Sequence, residues 1–197
     1  MNHLAHALLA APDPDLMLGS LIGDFVRGAI DPELPPRVGA GIALHRAIDR
    51  YTDSHAEVVA ARALFEPPYR RFAGVLLDVW FDHLLARGWA RHGIGDLDDF
   101  SRGVRDLLDR RAREVPSRMR GFVAYMHAND LPLAYGDEAM IGNVFDGISH
   151  RFARENPVAT ALPVMQALED PLTRHFEAFF PDLKTFAATE RARLVAA

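Results

Sequence analysis

At 197 residues the chain is long enough to bury a substantial core and short enough to be most simply one domain. Hydrophobic residues make up 49% and charged residues 25%, an ordinary balance for a globular protein, and the absence of cysteine excludes disulfides, thiolate zinc sites and cysteine nucleophiles. A formal charge of -5 argues against bulk nucleic-acid binding, and no run approaches the ~20 apolar residues of a membrane span, so neither partner is expected.

In chain order, apolar positions recur at helical spacing and strand-like alternation is rare. A short helix is expected over 2–10. Its start lacks the basic flank of a signal peptide and two histidines interrupt its apolar run, so a cytoplasmic location is expected. After a turn around Pro12–Pro14, a second helix runs from about Leu16 to Arg27, with Gly28 as its left-handed stop. The three prolines of 31–36 make a loop, and a third helix covers roughly Arg37 to Thr52. Asp53 or Ser54 caps the next helix, which ends before Pro67. A long helix spans Tyr69 to about Arg87, and another spans Leu97–Arg113 with Asp98 and Asp99 near its positive end. Pro116 opens a helix that reaches about His127, and two more cover Glu138–Ala153 and Val158–Phe180. Pro181 marks a break before a closing helix. The expected architecture is all-α, a single-domain helical bundle over 1–197 without linker, repeat or low-complexity segment.

The residues that promise chemistry are acids and histidines set in apolar helices. Asp24 lies within Leu21-Ile22-Gly23-Asp24-Phe25-Val26, near a helix C-terminus where its charge opposes the dipole. A functional role would explain it; an exposed aspartate is the plain alternative. His45 and Asp49 stand four apart on one helix face, which suits metal ligation or an aspartate orienting a ligand histidine, and fits an ordinary surface pair as well. Arg46 and Arg50 repeat that interval, either to clamp phosphate oxygens or as solvated charges. In Asp78-Val79-Trp80-Phe81-Asp82-His83, two carboxylates one turn apart occupy a helix that is apolar almost all round and should be buried. A divalent cation would compensate them, although structural ion pairs do so too. His83 is open as ligand, proton donor or core histidine. His3 and His6, three apart, are spaced to face the same site. His92, His127, His150 and His175 form no acid–imidazole constellation, and no phosphate-binding glycine loop or nucleophile elbow is present.

Taken in order, Met1-Asn2, Leu4-Ala5-His6, Leu9-Ala10, Asp24-Phe25-Val26-Arg27-Gly28, Gly41-Ile42, His45-Arg46-x-Ile48-Asp49, Thr52-Asp53 and Leu77-Asp78-Val79-x-x-Asp82-His83 resemble the acyl carrier protein phosphodiesterase family. The likeness extends more faintly to Asn143-Val144-x-x-Gly147 and Phe176-x-x-Phe179-Phe180-Pro181. It implies an HD-domain-like helical fold, a divergent branch of the HD-type metal-dependent phosphohydrolases. It also implies hydrolysis of holo acyl carrier protein to the apo-protein and 4′-phosphopantetheine with a divalent metal, typically manganese (Mn2+), and so a place in fatty acid metabolism. On this resemblance Asp24, His45, Asp78 and Asp82, supported by His6, are candidate metal ligands. His83 and His45 are candidate proton donors, and Asp49 joins them as a supporting catalytic member. Arg27, Arg46 or Arg50 would hold the phosphoryl oxygens, and Arg37, Arg70 and Arg71 would meet an acidic carrier protein at the mouth.

This chain departs from the pattern in three places. Its adjacent pair runs Asp82-His83 where an HD enzyme has His before Asp, Gly19-Ser20 stands for Gly-Asn, and His3 occupies a usually apolar position. Two alternatives stay open: a related phosphohydrolase acting on a nucleotide or small phosphoester, and a non-catalytic helical binding protein. The metal reading requires Asp24, His45 and Asp78 to converge.

Overall fold

Apolar residues at helical spacing produce eleven α-helices among residues 1–196, which this computed structural model describes; 76% of the chain is helical and none of the described residues is in a strand. The helices are α1 (His3–Ala10), α2 (Pro14–Ile22), α3 (Pro36–Ser54), α4 (Ala56–Ala63), α5 (Ala73–Arg87) and α6 (Trp89–His92). They continue as α7 (Leu97–Arg110), α8 (Arg120–Ala128), α9 (Glu138–Ser149), α10 (Leu162–Ala167) and α11 (Glu169–Ala196). Aspartates cap three of them: Asp13 accepts from Asp15 and Leu16, Asp96 from Asp98 and Asp99, and Asp137 from Ala139. No helix of the described residues is long and apolar enough to cross a membrane.

α5 is the hub, packed against α1, α4, α9 and α11 with Trp80 and Phe81 fully enclosed. Every residue of α1 is buried as well. α2 and α3 cross backbone to backbone. A Cβ on Gly19 would overlap the Val38 carbonyl, and one on Gly41 would overlap that of Leu16, so only glycine permits this approach. The crossing sets the His45 face of α3 against the end of α2.

Several boundaries differ from the sequence expectation: α5 begins at Ala73 after a 3-10 turn at Arg70–Phe72 rather than at Tyr69, α7 ends at Arg110 rather than Arg113, and a 3-10 turn at Ser117–Met119 stands between Pro116 and α8. The second helix stops at Ile22, because Gly23–Phe25 tightens into a 3-10 turn and Val26 is extended; Gly28 is left-handed at φ 73°, but in the loop beyond. α3 continues through Asp53 and Ser54, and the imidazole of His55 caps α4 by accepting from the Glu57 amide at 3.3 Å. The expected Glu138–Ala153 helix ends at Ser149, and Val158–Phe180 divides into a 3-10 turn, α10 and the first part of α11. Pro181 does not break the chain but lies inside α11. A proline there costs ~3 kcal/mol. Complete burial of Phe179, Phe180 and Leu183 on either side offsets it, each contributing ~1.5–3 kcal/mol.

Candidate active site

The Gly23–Phe25 turn swings Asp24 back over α3, where its Oδ1 lies 3.1 Å from His45 Nε2. Gly23 is itself a requirement of the site, since a Cβ there would collide with the His45 ring. The other ring nitrogen, Nδ1, donates to the Ser20 carbonyl at 2.8 Å. A carbonyl can only accept, so Nδ1 carries the proton and Nε2 presents a lone pair to Asp24 and to Asp49 Oδ2, also at 3.1 Å. Two carboxylates facing one lone pair need a proton or a cation between them. Without an ion the proton wins: burial opposes the charge on His45, but the bonds and charges of Asp24 and Asp49 raise it to about 9.

His6 completes the group from α1. Its Nε2 lies 3.1 Å from Asp49 Oδ1, its ring stacks on His45 at 3.9 Å, and its Nδ1 is buried without a partner. Burial, reinforced by the charge on His45, lowers His6 to about 4. His45 bonding holds Asp24 down at about 2, and Asp49, despite burial, is held well below the usual carboxylate range by the two imidazoles. Donor atoms of His6, His45 and Asp49 fall within 4.8 Å of one another. This set fits a divalent cation. Neighbouring donors of an octahedral ion at ~2.1 Å stand ~3.0 Å apart, close to the 3.1 Å separations here. The Ser20 bond also fixes the tautomer as an outer partner does for a ligand histidine.

Asp78 joins the same row through Met1. The enclosed α-amino group of Met1 donates to Asp78 Oδ1 at 2.9 Å and stands 3.9 Å from Asp49 Oδ1. Asp24, His45, Asp49, Met1 and Asp78 thus form one continuous polar row, in which Asp24 meets His45 directly and Asp78 is reached only through the Met1 amino group, so that both flank the His6–His45–Asp49 donor set rather than belong to it.

Asp82 and His83 are placed elsewhere. Asp82 is fully buried and accepts the amides of Leu4 at 2.7 Å and Ala5 at 3.2 Å, holding the first turn of α1. Burial pushes its carboxyl up to about 7 even so. The compensation expected from a cation comes here from helix amides. His83 donates from Nδ1 to the Tyr135 carbonyl at 2.7 Å and packs on Trp80 at 4.7 Å, while its Nε2 is sealed in without a partner. It anchors Tyr135, whose hydroxyl accepts from the Asn2 amide at 3.3 Å.

The polar row opens onto a cleft of about 810 Å³. Asp24, Asp78 and His3 line it, and Phe25, Phe122, Tyr125, Val144 and Ile148 supply apolar wall. Arg27 lines it as expected, together with Arg118 and Arg151, which no local spacing in the sequence ties to the cluster. Arg46 instead donates to the Val26 carbonyl at 2.8 Å and braces the turn that carries Asp24. Arg50 lies outside the cleft near Glu190, and Arg37 pairs with Asp13 at a separate groove beside the end of α11. Arg70 and Arg71 precede α5, with Arg71 over the Phe72 ring at 4.9 Å; Phe72 meets Phe152 of the cleft at 5.4 Å.

Comparison with known proteins places the chain in a family. The family described as "Acyl carrier protein phosphodiesterase" matches residues 1–183. The chain is 33% identical over 184 residues to the acyl carrier protein phosphodiesterase of Yersinia pestis, covering 93% of this chain and 95% of that one. The Serratia proteamaculans (strain 568) protein of that name shows 33% identity over 184 residues, with the same shares of 93% and 95%. For the Escherichia coli O139:H28 protein the figures are 33% over 189 residues, 95% of this chain and 98% of its relative. No solved structure matches the chain. Sequence likeness of this extent enfolds the entire polar row and its cleft, and the chain belongs to the acyl carrier protein phosphodiesterase family.

Proposed function

We propose that this protein is a metal-dependent phosphodiesterase that hydrolyses holo acyl carrier protein to the apo-protein and 4′-phosphopantetheine. The observation that carries the reading is the meeting of His6, His45 and Asp49, with Asp24 and Asp78 beside them, at the edge of a cleft that is part arginine and part apolar. The name of the relatives supports the substrate. The cleft supports it independently, since a phosphodiester bearing a long, mostly uncharged arm needs charge at one end and apolar wall along the rest. A cytoplasmic setting and a part in lipid metabolism belong to the same reading.

His6, His45 and Asp49 would hold the divalent cation, and two imidazoles with a carboxylate suit manganese or a similar borderline ion. When bound, such an ion polarises a phosphoryl group and lowers the pKa of water. The chain's own residues do the positioning. The Ser20 carbonyl fixes the lone pair of His45 toward the cluster, and Asp24 stands 3.1 Å from the same Nε2. Arg27, which lines the cleft, would hold a phosphoryl oxygen, with Arg46 bracing the backbone just before it. Asp82 and His83 act from beneath, one holding α1 with its His6, the other holding Tyr135 at the cleft wall. The HD-type relationship belongs to this reading too. Its support is an all-helical scaffold gathering imidazoles and carboxylates from several helices, with the cluster built on His45 and Asp49 rather than on the adjacent Asp82-His83 pair.

The test is to incubate the protein and Mn2+ with holo acyl carrier protein and read the carrier's mass. Loss of the prosthetic group is expected. Cleavage of small phosphodiesters alone would replace the carrier with a smaller substrate, and no hydrolysis with no metal binding would leave a binding protein.

A further inference from the structure

The chain carries a formal charge of -5, yet three arginines converge on one cleft. None of Arg27, Arg118 and Arg151 has an ion-pair partner among the described residues, so all three guanidinium groups are free to meet an anion in the cleft they share. Guanidinium groups lining a common space recognise an anion by charge and by paired N–H donors.

Arg151 is the most committed of the three. It follows α9 and lines the cleft together with His3, Tyr125 and Tyr135 from other elements. The turn beneath it is built to hold still. The Arg151 amide donates to the Ile148 carbonyl at 3.0 Å and the Phe152 amide to that of Ser149 at 3.2 Å. The Asn156 side chain donates to the same Ser149 carbonyl at 3.0 Å. Phe152 then packs edge-on against Phe72 at 5.4 Å, tying the turn to the start of α5. The carboxylates of Asp24 and Asp78 line the same cleft. They repel an anion, so an anion entering the cleft is drawn to its arginines.

We infer that Arg151, flanked by Arg118 and Arg27, is the seat of the substrate's phosphoryl anion, an oxyanion site in the cleft that the acid–imidazole row borders. This deepens the reading given under Proposed function, because the anion is there a phosphodiester. The chemistry recognised is a phosphate or phosphonate oxyanion with an uncharged substituent that lies along Phe122, Tyr125 and Ile148.

The probe is inorganic phosphate, titrated calorimetrically into the whole protein in metal-free buffer, so that binding reports the protein's own cations. Arg151→Gln should weaken phosphate binding ~10-fold or more, the scale of one charge-assisted hydrogen bond. Arg151→Lys should recover part of the loss, since an ammonium keeps the charge without the planar fork. Arg174→Gln, an exposed arginine outside the cleft, should bind like the parent. Phe152→Ala, which loosens the turn and leaves every cleft charge in place, should fall between the parent and Arg151→Gln. Wild-type phosphate affinity in a folded Arg151→Gln protein overturns the seat, as does equal loss in Arg174→Gln. Phosphate binding that depends on Arg151 in a protein that leaves holo carrier protein intact would uphold the seat and overturn the carrier-protein reading instead.

Discussion

His45 has three polar neighbours and two ring nitrogens. Ser20 takes one nitrogen, so Asp24 and Asp49 must share the other through a proton or a metal. His45→Ala removes that shared point and should lower Mn2+ affinity ~100-fold or more, at or beyond the upper end for losing an outer-shell partner. Calorimetric titration with Mn2+ checks this, and unchanged affinity would take His45 out of the ligand set. His3 shows a different use of imidazole. It packs against Phe122 at 4.3 Å and faces Asp24, His6, His45 and Arg151, and burial, against the pull of Asp24, lowers it to about 3. Native His3 therefore binds fewer protons than unfolded His3 between its ordinary 6.5 and about 3, so its contribution is present above 6.5 and lost as the pH falls toward 3. His3→Phe keeps the aromatic contact and deletes the proton. In metal-free protein the slope of stability against pH across that window should fall by about one proton, ~1.4 kcal/mol per pH unit. Denaturant unfolding at several pH values reads the slope; an identical slope in both proteins removes His3 as its source.

Among the elements, α1 shows how a short helix is held. Eight buried residues with no side-chain cap of their own depend on Asp82, which reaches from α5 to accept two first-turn amides. Each carboxylate oxygen serves one amide, so Asp82→Asn turns an NH2 group against one of them. The expected loss is ~1–3 kcal/mol, the cost of a buried polar group left unsatisfied. Chemical denaturation should show it, with Mn2+ stoichiometry unchanged because Asp82 holds the helix and not the ion. Loss of the bound ion in a folded variant would return Asp82 to the ligand set. The same logic explains α11. A proline ends a helix in isolation, but three wholly buried side chains around Pro181 keep this one continuous, so tertiary packing overrides local preference.

For the whole molecule, the candidate centre draws its donors from α1 and α3, with Asp24 from the turn after α2 and Asp78 from α5 beside them. An ion that joins these elements should stabilise the fold. At 100 times its dissociation constant, Mn2+ should contribute ~2.7 kcal/mol. For a chain of this length that is a rise of ~5–10 °C in Tm. Thermal scans with Mn2+ and with chelator measure it directly. Coincident curves would argue against a structural link between ion and fold.

Helical class, the buried hub of α5, and the pairing of His45 with Asp49 were legible in the chain, because helical periodicity and an i, i+4 interval are local properties. Asp24 was legible as an acid out of place near a helix end. Whether Asp78 and Asp82 would share a task was not, since both sit on one helix and their partners are groups near Met1 and at Leu4 and Ala5, more than seventy residues away. Arg118 and Arg151 were equally hidden, as nothing in their own neighbourhoods ties them to a cleft formed with α1 and α5. Residue identity and spacing determine which groups are available and which face of a helix carries them. Only the packing of one helix on another decides which charges meet, because that depends on close approaches such as Gly19 on Gly41 and the space Gly23 leaves for His45.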